Sequence, residues 1–368
     1  MGSKNRVTVI GELERRPTTA HDVARLAGVS QSAVSRVFTP GASVSPETRI
    51  KVMEAAKRLG YRPNQVARSL ITRRSNIVGV AVPGTENPFY SAALDALSIA
   101  LARIGYRVLL FSVDAIAGSD PILEEVLRYR VDALVLISTS LSSHFADECM
   151  QLGLPVVLLN RKTDSGLASS VTGDNLNGAR MIAAFLLAGG HKRFAFVAGV
   201  EHSSTNRDRE AGFLGYLSAR KVRHIERRVG NYSTTGAEAA VRSLLELEKQ
   251  PDAIFCANDH MALVAVNVAQ VGFGLQPGRD ISIVGFDNID MAGWPLFGLT
   301  TYSQPIQTMV DQVISILERQ LSGEAAVALQ QLTEGELIVR TSARKPKTGL
   351  SRSGNEWVWC PRTELAVF

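Results

Sequence analysis

Cysteine is scarce in this chain. Cys149, Cys256 and Cys360 are the only three in 368 residues, they lie far apart and none falls in a CxxC spacing, which excludes a disulfide scaffold and a zinc ribbon. Reduced, structural thiols are the expectation. The six histidines show no metal spacing either, so no metal is expected. No apolar run is long enough to cross a bilayer, and the first residues, MGSKNRVTVIGELERRPTT, hold no apolar h-region; a cytoplasmic protein with no membrane partner is expected. Enzyme signatures are missing as well: there is no Walker loop, GxSxG elbow, HExxH or strand-linked GxGxxG. Gly272-Phe273-Gly274 follows a helical pattern and precedes a strand, and reads as a helix terminator. No enzyme, no catalytic residue and no cofactor are therefore expected. The 45% hydrophobic and 20% charged composition is that of a folded protein with core enough for two or three domains.

Acidic residues are sparse in one region. Residues 1–75 hold fourteen Lys and Arg against five Asp and Glu, a surplus of nine, although the whole chain carries only +5. The remainder is thus slightly acidic, and the basic module by itself suits a polyanionic partner.

That module reads as three short helices. In TTAHDVARLAGVSQSAVSRVF, Thr19 with Asp22 three residues on is a cap, and Val23, Ala24, Leu26 and Ala27 fall at helical spacing. Gly28 ends the first helix, since a left-handed residue costs glycine little. Ser30 caps a second helix whose Val34 and Val37 point inward while Gln31, Ser32, Ser35 and Arg36 face out. A helix, a glycine turn and a helix with a polar outer face form a helix-turn-helix. The outer set suits a major groove: Gln pairs bidentately with adenine, Arg with guanine, and Ser with either. The third helix opens with Ser45 as cap and Pro46 at its first position. Ile50, Val52, Met53, Ala56 and Leu59 then recur at helical spacing until Gly60.

DVARLAGVSQSAVSRVF followed by VSPETRIKVMEAAKRLGYRPNQVARSL resembles the DNA-binding headpiece of the LacI/GalR family of bacterial transcription regulators, with its spacing intact from Thr19 to Leu70. The resemblance implies base-edge contacts from Gln31, Ser32 and Arg36 and a backbone contact from Thr19. It also implies a hinge helix within RPNQVARSL. There Asn64 is a candidate cap, Ala67 matches a small residue, and Leu70 matches a leucine wedged into the minor groove. A helix of fewer than about 12 residues is marginal in water, so this one is expected to form only against a partner.

Beyond residue 75 the pattern changes to alternating strands and helices. Apolar β-rich runs occur at 77–82, 107–113, 133–138, 155–160, 194–199, 253–258 and 281–286, with amphipathic stretches such as SAALDALSIALARIG between most of them. Buried strands separated by helices make parallel sheets, here two. The fold class expected is α/β with parallel sheets, preceded by a small all-α helix-turn-helix domain. Ligands bind such sheets at the carboxyl ends of the strands. The residues there are polar: Asn87-Pro88-Phe89-Tyr90, Asn160-Arg161, Arg207 and Arg209, Asn258-Asp259, and Asp287-Asn288. NPFY, DNLNGA, RDREAGF, CANDHMA, SIVGFDN and LTTYSQP continue the family resemblance, toward a two-subdomain effector domain of the type I periplasmic-binding-protein kind with three strand crossovers. It implies Arg209, Asn258 and Asp287 as polar effector contacts and Phe89, Tyr90, Asn160 and Tyr232 as cleft lining, with Asp259 capping the following helix. Carboxylate and amide acceptors beside an arginine suit a polyhydroxylated ligand, a sugar or sugar derivative. Arg207 beside Arg209 leaves room for an acidic one, or is a surface charge.

Five segments are expected: an extension at 1–17, a headpiece at 18–63, a hinge and linker at 64–74, an effector and dimerisation domain at 75–344, and a poorly ordered tail at 345–368. The extension, Phe297-Gly298 where relatives have a proline-rich lead into LTT, and the tail with Trp357 and Trp359 depart from the family pattern. The function expected is an effector-switched regulator, a repressor, binding a palindromic double-stranded operator as a homodimer, with a tetramer as the other assembly. The alternative is a solute-binding protein of a transport system, which the body alone resembles.

Overall fold

The computed structural model describes residues 18–39, 41–63, 74–84, 86–112, 120–138, 143–324 and 327–361. The extension at 1–17 and the hinge stretch, with Asn64, Ala67 and Leu70, lie outside them. The chain divides into two units, Met1–Ser75 and Asn76–Phe368.

In the first unit, α1 (Ala20–Ala27) starts on a full capping box, with the Thr19 hydroxyl accepting from the Asp22 N–H and the Asp22 carboxylate accepting in return. Gly28 ends it at φ 65°. Helix α2 (Gln31–Val37) is capped by Ser30, and α3 (Pro46–Leu59) by Ser45 with Pro46 in its first turn. Their core is small: Val23, Ala24, Val34, Val37, Val52, Ala55 and Ala56, with Phe38 and Tyr61 against it. Of the apolar positions read along α3, only Val52 and Ala56 are buried. Ile50 and Met53 stand 58% and 50% exposed and Leu59 and Leu26 over a third exposed, because two helices of eight and seven residues cover only a narrow stripe of a fourteen-residue one.

The second unit begins with five parallel strands and their helices: β1 (Ile77–Val82), α4 (Pro88–Arg103), β2 (Arg107–Ser112), α5 (Asp120–Tyr129), β3 (Ala133–Ile137), α6 (Ser143–Gln151), β4 (Val156–Leu159) and β5 (Ser169–Gly173). Helix α7 (Asn175–Ala188) carries the chain to a second sheet through β6 (Phe194–Ala198), α8 (Ser204–Ala219), β7 (Ile225–Val229), α9 (Thr234–Leu245), β8 (Ala253–Cys256), α10 (Asp259–Asn267), β9 (Ser282–Asp287) and β10 (Thr300–Ser303). Helix α11 (Ile306–Leu321) returns to the first sheet for β11 (Gln330–Thr333), and β12 (Leu337–Ile338) lies again in the second. The chain thus crosses between the sheets three times, after β5, β10 and β11. The strand orders are β11-β5-β4-β3-β1-β2 in one sheet and, up to β12, β12-β10-β9-β8-β6-β7 in the other. Strands β1, β2, β3, β4, β6, β8 and β9 are the apolar runs of the sequence. Strand β5, SSVTG, is fully buried although Val171 is its one apolar side chain, and β7, IERRV, is a half-exposed edge.

The tail expected to be poorly ordered is a hairpin. Strands β13 (Leu350–Ser353) and β14 (Glu356–Trp359) pair antiparallel, and β14 adds to β12. Strand β12 would otherwise leave its outer backbone groups unpaired, and Trp359 supplies apolar area. Its ring is 5% exposed, meets Phe185 edge-on at 5.6 Å, and its indole N–H donates to the Thr348 carbonyl. Glu356 adds an ion pair with Arg340 at 2.6 Å. Residues 362–368 lie outside the described part. Gly272 and Gly274 close the helical turn after α10, Gly274 at φ 64°, as read from the sequence.

Candidate functional site

On the first unit, α2 presents Gln31, Ser32, Ser35 and Arg36 to solvent while Val34 and Val37 hold it to the core. The Arg36 Nε reaches the Ser32 carbonyl only at 3.5 Å, so its guanidinium is available to a partner. The Ser32 hydroxyl shares a hydrogen bond with the Ser30 hydroxyl at 2.9 Å. The Thr19 hydroxyl is already committed: it donates to Asp22 at 2.7 Å as part of the cap.

In the second unit, polar side chains gather at the carboxyl ends of parallel strands. After β4, Asn160 adopts φ 61° and donates to the Ser138 hydroxyl at 2.9 Å. Arg161 follows it, nine-tenths buried. Asp287 ends β9 at φ 130°. Its carboxylate accepts from the Gln304 amide at 2.7 Å and from Arg209 Nη2 at 3.3 Å. Arg209, 2% exposed, is held on every side: Nε donates to Asn175 Oδ1 at 2.8 Å, Nη1 to the Ala257 carbonyl, and the guanidinium stacks 3.7 Å from the centre of the Phe286 ring. A planar fork so fixed is preorganised rather than adaptable.

Tyr90 belongs to the same cluster. Burial pushes its phenol up to about 12, and Tyr232, Arg161 and Asp287 all act on it electrostatically. Tyr232 sits in a left-handed turn at φ 57°, and its ring occupies the space that a Cβ at position 199 would need, which is why Gly199 ends that strand. Its hydroxyl lies 3.4 Å from that of Thr205. Burial also raises Asp287, with Arg209 and Gln304 opposing, and raises Asp259, with the neighbouring Asp287 charge adding to the effect.

Asn160 follows β4, Asp287 ends β9 and Tyr232 lies in the turn after β7, whereas Tyr90 projects from the first turn of α4 and Arg209 from within α8. Phe89 is different: it is 1% exposed, and its ring joins the core of the second sheet although it springs from α4 of the first. It plugs the two subdomains together behind Tyr90, its ring 6.1 Å away and edge-on. Asn258, not Asp259, caps α10, accepting from the Met261 N–H at 3.0 Å. Asp259 turns instead into the interior, accepting from Thr301 Oγ1 at 2.6 Å and the Ile289 N–H at 3.0 Å. The reason is geometric: an N-cap must precede the first helical residue, and α10 begins at Asp259. Arg207 is 46% exposed and paired with Asp164 at 2.6 Å. It belongs to a latch between the loop after β4 and α8, in which Lys162 also binds Asp208 at 2.6 Å and, through its N–H, the Ser204 hydroxyl.

Sequence reasoning placed Arg161 at a strand end without assigning it to the site, and left Asn175 and Gln304 unmarked. All three lie inside segments already singled out, but nothing local tells a turn-former from a side chain aimed into a cleft. Burial does. Asn160 Oδ1, Arg161 Nε, Asn258 Nδ2 and Gln304 Oε1 are buried without a hydrogen-bond partner, and all belong to residues that follow parallel strands. Buried polar groups are normally satisfied; these four are unpaired, as are the His191 ring nitrogens and the Gln320 and Gln331 amide oxygens elsewhere. Among the described residues there is no cluster of His, Cys, Asp and Glu able to hold a metal, and no helix long and apolar enough to cross a membrane.

Residues 19–64 match the family described as bacterial regulatory proteins, lacI family, and residues 183–343 match the periplasmic binding protein-like domain. Catabolite control protein A of Priestia megaterium is 32% identical over 310 residues, covering 83% of this chain and 93% of that protein. The lac repressor dimer bound to operator and the anti-inducer ONPF superposes with a TM-score of 0.81 at 29% identity, covering 89% of this chain and 100% of that one. The transcriptional regulator CelR in complex with cellobiose has a TM-score of 0.67 at 28% identity over 89% of this chain and 100% of its own.

Proposed function

Because the chain belongs to the lacI family of bacterial regulatory proteins, we propose that it is a cytoplasmic transcriptional repressor that binds a palindromic operator as a homodimer and is switched by a small polar effector. The observation that carries this is the union, on one chain, of an outward-facing Gln31, Ser32 and Arg36 on α2 with a buried cluster around Arg209 and Asp287. The first has base-reading chemistry and excess positive charge, and the second holds unpaired polar atoms of the kind that hydroxyl groups, each a donor and an acceptor, satisfy. The solved lac repressor is a dimer on its operator and the solved CelR holds cellobiose; both favour a dimer and a carbohydrate here.

The switch follows from linkage. A ligand that prefers one arrangement of the two subdomains must change operator affinity if the headpieces are spaced differently in the other arrangement. The hinge and linker stretch at 64–74, nearly all of it outside the described residues, is the coupling element of this reading. Gel-shift measurements with promoter DNA test the reading. Sequence-specific retardation that weakens with salt supports it, and equal affinity for random DNA would falsify it. Hydrogen exchange tests the hinge: protection at residues 64–71 rises when operator is added, and unchanged protection removes the hinge helix from the mechanism.

A further inference from the structure

We propose that the effector of this cleft is an anion, a carboxylate or phosphate carried on a polyhydroxylated skeleton, and that Arg161 is the residue that receives the charge. The proposal rests on the reading of the cleft as an effector site and gives that site its chemical class.

Two guanidinium groups are buried here, Arg161 after β4 and Arg209 on α8, and their surroundings differ. Arg209 has a counter-charge in Asp287 and its bonds are spent on Asn175, Ala257 and that carboxylate. Arg161 has none of these. It is 9% exposed, its Nε is buried without a partner, and no ion pair to it is found among the described residues. The charged and titratable groups that act on it most are Tyr232, Tyr90, Arg209 and Arg207, none of them a carboxylate. Burial therefore works against its charge, lowering its pKa, and the two arginines lower it further. A guanidinium does not lose its proton in response, and an uncompensated buried charge is unfavourable. The fold tolerates that charge at a position where its neighbours are two phenols, both able to donate to an anion.

Arg207 cannot serve in its place. It stands on the surface, 46% exposed, and its Nη2 is engaged by Asp164 at 2.6 Å. The anionic end of the ligand thus lies toward Arg161, Tyr90 and Tyr232. Its hydroxyls lie toward the unpaired Asn258 and Gln304 amide atoms and the Asp287 carboxylate.

The test uses the full-length protein and begins with simple ions. Inorganic phosphate or acetate, at ionic strength matched with chloride, should raise the melting midpoint of the wild type saturably and leave Arg161→Met unaffected. Arg161→Lys, which keeps the charge, should retain the response. Calorimetry with glucose, glucuronate and glucose 6-phosphate then asks whether a charged sugar binds more tightly than the neutral one by roughly tenfold or more, the range of a charge-assisted hydrogen bond. The uronate and phosphate arms separate the two anion types. Equal stabilisation of wild type and Arg161→Met, no stabilisation by either ion, or a neutral sugar that outcompetes both charged forms overturns the proposal. The regulatory reading fails separately: anions that bind through Arg161 and leave operator affinity unchanged would uphold the site and remove the switch. Conversely, a neutral sugar that shifts operator affinity while neither anion binds would uphold the switch and remove the anion site.

Discussion

Arg209 and Asp287 face each other at 3.3 Å, both at least 97% buried, and the carboxylate takes a shorter bond, 2.7 Å, from Gln304. The pair is therefore tied into a network in which each partner has other bonds. Removing one member of a buried pair strands the other, at roughly 3–5 kcal/mol. Arg209→Ala should lower the urea midpoint accordingly and abolish the response to effector, while ligand-free operator binding persists. Loss of operator binding without ligand would show that the two functions are not divided between the two units.

Asp259 and Asp287 give the protein an unusual pH dependence. Burial raises both above the ordinary carboxylate value, Asp259 to about 7. With the folded pKa above the unfolded one, the folded state binds more protons in between. The stability these groups contribute is thus complete below about 4 and is lost as pH rises through neutrality. Urea midpoints measured from pH 4 to pH 8 should carry this falling component, and Asp259→Asn should flatten it. An unchanged slope in that variant would place the titration elsewhere.

Gly199 matters through what it leaves empty. A Cβ there would overlap the Tyr232 ring. Gly199→Ala should displace that ring and weaken effector binding with little change in operator affinity, read by calorimetry and gel shift on the same preparation. Unaltered effector affinity would take Tyr232 out of the site.

Arg36 is exposed and its side chain is only loosely held. Arg36→Ala should leave stability within about 0.5 kcal/mol yet weaken specific operator binding by roughly 1–3 kcal/mol and relax the preference at one base pair. A uniform loss across all sequences would instead make Arg36 a phosphate contact.

Trp359 closes the end of the second sheet against Phe185. Trp359→Ala should destabilise by roughly 3–5 kcal/mol, the usual effect of removing a large buried aromatic, measured by urea unfolding. A change below about 0.5 kcal/mol would mean that the hairpin is dispensable.

How much of this was legible beforehand depended on whether the cause is local. A cap such as Thr19 with Asp22, or a left-handed Gly28, acts over three or four residues, so the three headpiece helices could be read directly. The apolar runs of β1, β2, β3, β4, β6, β8 and β9 announced parallel strands in the same way, and with the motif segments they led to the family. Strand β5 could not be read so, since SSVTG is buried by neighbouring strands and not by its own hydrophobicity. The C-terminal hairpin is ordered by the open edge of β12, a partner nothing in its own sequence names.

The same division runs through the site. Residue order alone determined that Asn, Asp and Arg follow the strands, and hence that a polar cleft would lie at their carboxyl ends. Which of them are spent on the fold and which keep buried atoms unpaired was decided only by tertiary structure. Asn258 became a cap, Asp259 an interior bond, Phe89 a plug and Arg207 a surface latch, while Arg161 was left buried with its charge unmet. Burial and partnership are relations between residues distant in the chain, and the sequence holds them only through the fold.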